Sequence, residues 1–146
     1  MKIEIKYRDN HVVEVEADSF VEAVEAHKAN LIGANLFRSD LSGTDLRGAN
    51  LSWANLSHAN LSRANMDGTN LVGTDLRGAN LVGTDLVGAN LVGANLSHAN
   101  LPWANLSHAN LPWANLTDAN LVGANMTDAN MTGANTKGAV GLKSQT

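Results

Sequence analysis

Ala99-Asn100-Leu101-Pro102-Trp103-Ala104-Asn105-Leu106-Ser107-His108 is two copies of one five-residue unit: a small residue, Asn, Leu, and two variable positions. The unit runs far in both directions. From Leu31 to Met131 every fifth residue is Leu or Met, 21 positions in all, 18 of them Leu and three Met (Met66, Met126, Met131). The residue before each is Asn or Asp, and the one before that is Ala, Thr or Ser. No window of this region shows the two-residue alternation of a half-buried strand or the 3.6-residue period of a helix. A short fixed period of this kind is the mark of a repeat architecture.

These A-(N/D)-L-x-x units resemble the pentapeptide-repeat family over residues 29–135, with Thr136–Gly141 as a fading continuation. The resemblance implies an all-β solenoid, a right-handed quadrilateral β-helix of about five coils. Four repeats make each 20-residue coil; the Leu and the small residue point inward and the other three positions face out. The residues agree with this. Stacked coils lie about 4.8 Å apart, the spacing of any β ladder. One large and one small side chain per wall suit a narrow square core. Each coil then relies on its neighbours to pair its backbone, as in other solenoids.

The corners are legible as well. Gly stands second after the central residue in 11 of the 21 repeats, and both prolines, Pro102 and Pro112, stand first after it. A type II turn favours Pro and then Gly at those positions. Repeats without the Gly, such as Leu56-Ser57-His58, are expected to use another turn type.

The first 28 residues differ. Lys2–Tyr7 and His11–Ala17 alternate as two strands with a turn at Asp9-Asn10. Ser19 followed by Glu22 reads as a capping box, predicting a helix from about Phe20 to Lys28. This division gives three parts: a hairpin-helix cap (1–28), the β-helix (29–135) and a fading tail (136–146). The cap would cover the first coil, because an open coil edge invites end-to-end aggregation. Val140 and Leu142 in the tail are expected to cover the last coil or to form a dimer contact. The resemblance implies a monomer, or a dimer joined at the C-terminal end.

Composition removes several functions. The chain has no cysteine, so it has no disulfide, thiol nucleophile or Cys-ligated zinc. No apolar run reaches transmembrane length, which is about 18 residues. The start, Met1-Lys2-Ile3-Glu4-Ile5-Lys6, lacks a signal-peptide apolar block, so a cytoplasmic protein is expected. A net charge of -4 with no basic run argues against nucleic-acid binding. Ser, His and Asp recur on convex walls with no pocket between them, so no catalytic, cofactor or metal site is expected.

With 20 residues per coil, residue n stacks on n+20, and the outer surface can be mapped. Trp53 and Trp113 fall on one face, three coils apart, and Trp103 on the opposite face. Each has Gly as both stacked neighbours. The plain expectation is an indole resting on neighbouring backbone; the functional one is an aromatic anchor for a protein partner. His98 stacks over Asp118 and His108 over Asp128, weak surface pairs offering two ligands each and no third. Segment 96–105 repeats identically at 106–115, half a coil on, which places the copies on opposite faces.

Two readings of function follow. The favoured one is a structural or protein-interaction module, either natural or an engineered scaffold, in which Trp53, Trp103, Trp113, His98, His108, Asp118 and Asp128 are the candidate contacts. The alternative comes from the resemblance: some family members mimic DNA and bind gyrase or topoisomerase IV. Charge weighs against it. B-DNA about 25 Å long carries about 15 phosphate charges, whereas residues 29–135 hold seven Asp, no Glu and four Arg, a net of -3.

Overall fold

The computed structural model describes residues 1–143. Its main body is a stack of parallel β-bridges joining each residue before a central Leu or Met to the one 20 positions on, from Asn35–Asn55 to Asn120–Val140. Three backbone bonds tie each wall to its neighbours. At the wall of Leu56, for example, Leu56 N–H donates to Asp75 C=O (2.8 Å) and His58 N–H to Arg77 C=O (2.8 Å), while Asn55 N–H donates back to Ala34 C=O (2.9 Å). Each corner closes on itself, as where Ala59 N–H donates to Leu56 C=O at 3.0 Å. One such turn every five residues gives four walls per coil.

The corners correct one expectation. Turns lacking Gly do not change type. All 21 second positions lie in the left-handed region: the 11 glycines at φ 62–73° and the ten others (Arg38, Trp53, His58, Arg63, His98, Trp103, His108, Trp113, Asp118, Asp128) at φ 55–59°. No first position has a positive φ, so every corner keeps the type II pattern. The reason is the ladder. The second position must aim its N–H at the next coil, and a different turn in one corner would break that bond and the register of every later wall.

The core is as narrow as the pattern implies. The central Leu and Met residues from Leu31 to Leu121 are fully buried, as are the small residues between them except Ser39, which is half-buried. Thr replaces Ala at four of the small positions without leaving a polar orphan. The hydroxyls of Thr69, Thr74 and Thr84 donate to the carbonyls of Leu46, Leu51 and Leu61 at 2.8–2.9 Å, and Thr44 donates to Leu41 within its own turn. A buried hydroxyl with a partner avoids the desolvation penalty that would otherwise exclude it.

At the N-terminus β1 (Lys2–Lys6) and β2 (Val12–Glu16) form an antiparallel hairpin. Tyr7 N–H donates to His11 C=O, and Asn10 takes a left-handed φ of 67°. The turn is thus a three-residue loop of Arg8, Asp9 and Asn10, one residue wider than the expected Asp9-Asn10 pair. Helix α1 spans Phe20–Ala26, two residues shorter than expected, and passes into a 3-10 turn at Lys28–Asn30. Ser19 Oγ accepts from Glu22 N–H (3.1 Å), and the Glu22 carboxylate accepts from Asp18 N–H (2.7 Å). The unit sits on the first coil through Asn35 N–H to Lys6 C=O (2.7 Å), Arg8 N–H to Gly33 C=O (3.0 Å) and Asn50 N–H to Lys28 C=O (2.8 Å).

At the other end Val140 continues the ladder instead of plugging it: it exchanges bonds with Leu121 and Ala119 and is 52% exposed. Met126, Met131 and Leu142 are only half-buried there. Burial therefore falls off toward the C-terminal end. Leu81→Ala is expected to destabilise the protein by about 2–5 kcal/mol in urea unfolding, and Met131→Ala by less than half of that.

Candidate interaction walls

Each residue that a partner could reach is set by the corner geometry. The second corner position projects outward, and its side chain leans toward the coil that follows. A Cβ built on Gly73 would strike the Trp53 ring, one on Gly123 would meet Trp103 Cδ1 at 2.6 Å, and one on Gly133 would meet Trp113 Cδ1 at 2.7 Å. Each indole thus occupies the space left by the glycine 20 residues on. Its outer surface stays open: Trp53 is 56% exposed, and Trp103 and Trp113 are 69% exposed. His58 rests on Gly78 in the same way and meets Phe37 edge-on at 6.0 Å.

The two His–Asp stacks are present and open. His98 Nδ1 lies 3.9 Å from an Asp118 oxygen and His108 Nδ1 3.7 Å from an Asp128 oxygen, with all four side chains more than half exposed. Exposed pairs at this distance contribute little. Among the described residues no three His, Cys, Asp or Glu side chains gather as a metal site. The candidates do not converge on one point. Trp103 and Trp113 stand on opposite walls, each one corner beyond its own His (His98 and His108), and Trp53 lies three coils before Trp113 on the same wall.

The row of Asn residues, expected to face out, does structural work that sequence reading missed. Asn55 Oδ1 accepts the Ser57 N–H (3.1 Å) and hydroxyl (2.6 Å), and the same pattern recurs at Asn60, Asn105, Asn115, Asn125 and Asn130. This Asx turn pins each corner. The amide nitrogen also donates to the preceding coil, as Asn80 to Asn60 (3.2 Å) and Asn120 to Asn100 (3.1 Å). Asp can make the turn but not the amide donation. The available signal was Ser or Thr two residues after each of these Asn.

Two of the four Asp in this row are tied to cations. Arg47 pairs with Asp45 (2.8 Å), Arg77 with Asp75 (2.6 Å), and Lys28 also reaches Asp45 (3.3 Å). The hydrogen bond from Arg47 holds the Asp45 carboxyl well below its usual range. At Asp75 burial pushes upward, and the bonds from Arg77 outweigh it, so the net direction is down. Asp40 is lowered by the Ser42 hydroxyl.

No helix among the described residues is long and apolar enough to cross a membrane. The pentapeptide-repeat profile matches in eight copies, over segments that run from residue 26 to residue 139. The chain belongs to the pentapeptide-repeat family, whose members imply a right-handed quadrilateral β-helix. Among solved structures it is similar to a pentapeptide repeat protein, Rfr23, from the cyanobacterium Cyanothece 51142, at 43% identity and a TM-score of 0.62, covering 63% of each chain. A pentapeptide repeat protein from the Arabidopsis thaliana thylakoid lumen is 36% identical, with a TM-score of 0.36 over 67% of this chain and 65% of that one. QnrB1, a plasmid-mediated fluoroquinolone resistance protein, is 24% identical, with a TM-score of 0.33 over 70% of this chain and 60% of that one. This chain thus spans just under two thirds of the length of each of these three solved chains. None of the curated proteins compared matches it.

Two outcomes test the wall geometry. Gly73→Ala is expected to displace the Trp53 indole, so in a double-mutant cycle with Trp53→Ala the two changes couple by more than about 0.5 kcal/mol. Gly88→Ala has nothing within 4 Å of the new carbon and is expected to show only the left-handed strain, about 1–2 kcal/mol. The lowered Asp carboxyls fix the sign of the acid response. They stabilise the fold above their unfolded value of 3.8, and that contribution disappears as pH falls through their lower folded values. Urea midpoints should therefore drop between about pH 5 and about pH 2, with a shallower drop in Asp75→Asn.

Proposed function

We propose that this protein is a non-catalytic structural or protein–protein interaction module, a rigid β-helix of about five coils closed at its N-terminus by the hairpin and α1. Its partner is a protein, as yet unidentified, rather than a nucleic acid or a membrane, and it works in the cytoplasm. The observation that carries this reading is the backbone under the three tryptophans. A bulky residue in the left-handed region is disfavoured by about 1–2 kcal/mol, and glycine serves the same position in 11 of 21 repeats. Tryptophan there rests on one glycine of the next coil and stays more than half exposed. Strain retained at an exposed aromatic points to a use outside the fold, and exposed Trp is the residue most enriched at binding hot spots.

The DNA-mimic alternative, with gyrase or topoisomerase IV as partner, has less support on these walls. Of the seven Asp in the repeats, Asp45 and Asp75 are paired with arginine, and the Asn rows are neutral for the structural reason given above. The two readings separate in one experiment. Replacing Trp53, Trp103 and Trp113 by Ala together is expected to abolish capture of the native partner with no loss of thermal stability; unchanged capture would sink the anchor reading. Salt-sensitive inhibition of gyrase supercoiling that survives the triple change would favour the DNA-mimic role instead.

A further inference from the structure

The identical segments 96–105 and 106–115 give the rod two matching patches on opposite walls, half a coil apart along the axis. One carries His98, Pro102 and Trp103, the other His108, Pro112 and Trp113. The His and Trp of both hold left-handed corners at φ 56–58°. The match extends to what each side chain meets in the following coil. Each His faces an Asp 20 residues on, at 3.9 Å and 3.7 Å. Each indole lies over a Gly 20 residues on, whose added Cβ would meet Cδ1 at 2.6 Å and 2.7 Å, and each is 69% exposed. Equal backbone, equal support and equal exposure make two copies of one site. Trp53 is not a third. The corner before it is Gly48 instead of His, and its carbonyl accepts from Arg8 Nη1 at 3.3 Å.

We propose that these patches are two equivalent sites for an Arg- or Lys-bearing segment of the partner protein, so that one chain holds two copies of that partner, one on each side. The proposal rests on the interaction-module reading and narrows it to two of the three tryptophans. Charge names the occupant. The sequence has no Lys or Arg between Arg77 and Lys137, while Asp85, Asp118 and Asp128 fall inside that stretch. Near the cap, Arg38 sits over the Phe37 ring at 5.0 Å; among the described residues no cation covers Trp103 or Trp113. An open indole face attracts a Lys or Arg side chain. Arg suits it best, because the planar guanidinium also stacks on the ring. Trp103 leans toward the coil that carries Asp118, and Trp113 toward the coil that carries Asp128, so a carboxylate one corner away adds a second attraction. Recognition thus comes from one aromatic face and one carboxylate per site, not from an extended field of charge. The body of the rod separates the sites, and one bound copy does not obstruct the other. Each contact alone is weak, with a Kd of about 1 mM for a single short segment.

The chain has three tryptophans, so its nuclear magnetic resonance spectrum carries three indole N–H signals, each assigned by Trp53→Ala, Trp103→Ala or Trp113→Ala. The probe is a short peptide of alternating Arg and Gly, added to the full-length protein. It is expected to move the Trp103 and Trp113 signals along one shared isotherm and to leave the Trp53 signal in place. Because the sites stand on opposite walls, Trp103→Ala should leave the Kd read at Trp113 within about twofold of its original value. Asp118→Asn should weaken the Trp103 isotherm by about twofold and leave that of Trp113 unchanged. The same peptide with Glu in place of Arg should move neither signal. Movement of one signal only, of all three alike or of none, or an equal response to the Glu peptide, would each overturn the proposal. Still indoles together with lost partner capture in the triple Trp variant overturn this proposal and leave the wall reading standing. Unchanged capture beside two titrating indoles overturns the wall reading and supports the paired sites.

Discussion

Coils stacked about 4.8 Å apart leave every side chain with a neighbour directly above and below it. That distance is shorter than most polar side chains need for comfort and close to ideal for a hydrogen-bonded amide. It selects Leu and a small residue for the interior, where the Leu side chains are fully buried along the stack. It selects Asn over Asp for the row beside the core, because an amide both donates and accepts along the stack while carboxylates in the same place repel. It also gives four of the corner glycines a role: beneath each Trp, and beneath His58, the residue of the next coil has no side chain.

The same constraint imposes a uniform backbone on a varied surface. Ten corners hold Arg, Trp, His or Asp in a conformation that suits glycine, and their φ angles still fall within a few degrees of one another. In an isolated turn such residues would relax into another type. Here three ladder bonds per wall outweigh the local preference. The surface is thus free to change its chemistry while the scaffold beneath does not move, which is what an interaction module requires.

Much of the fold was legible because the period is short and unbroken. The central Leu row, the corner glycines and the stacking map follow from counting by five and by 20. The errors came where tertiary bonding overrides local chemistry. His58 does not look like a residue for a type II turn, and only the bond from its N–H to Arg77 C=O makes it one. Arg8 joins the hairpin loop because its N–H is needed by Gly33. The surface candidates were also placed by counting, yet the manner in which each Trp rests on one particular glycine, toward the C-terminal side and not the other, is a rotamer choice that spacing does not encode. The Asx role of the Asn row was written in the Ser and Thr two residues later, but the eye goes first to the charge that Asn lacks.

A ten-residue identity at 96–105 and 106–115 has one more meaning in a four-walled rod. Here the length of a duplication is an angle. Copying 20 residues lengthens the rod and leaves every feature facing as before; copying ten turns whatever follows by half a revolution; copying five turns it by a quarter. A tandem slip in the gene therefore acts as a rotation of one end of the surface against the other, with no new contact to invent in the core. The matched His and Trp on opposite walls are what such a half-revolution leaves behind.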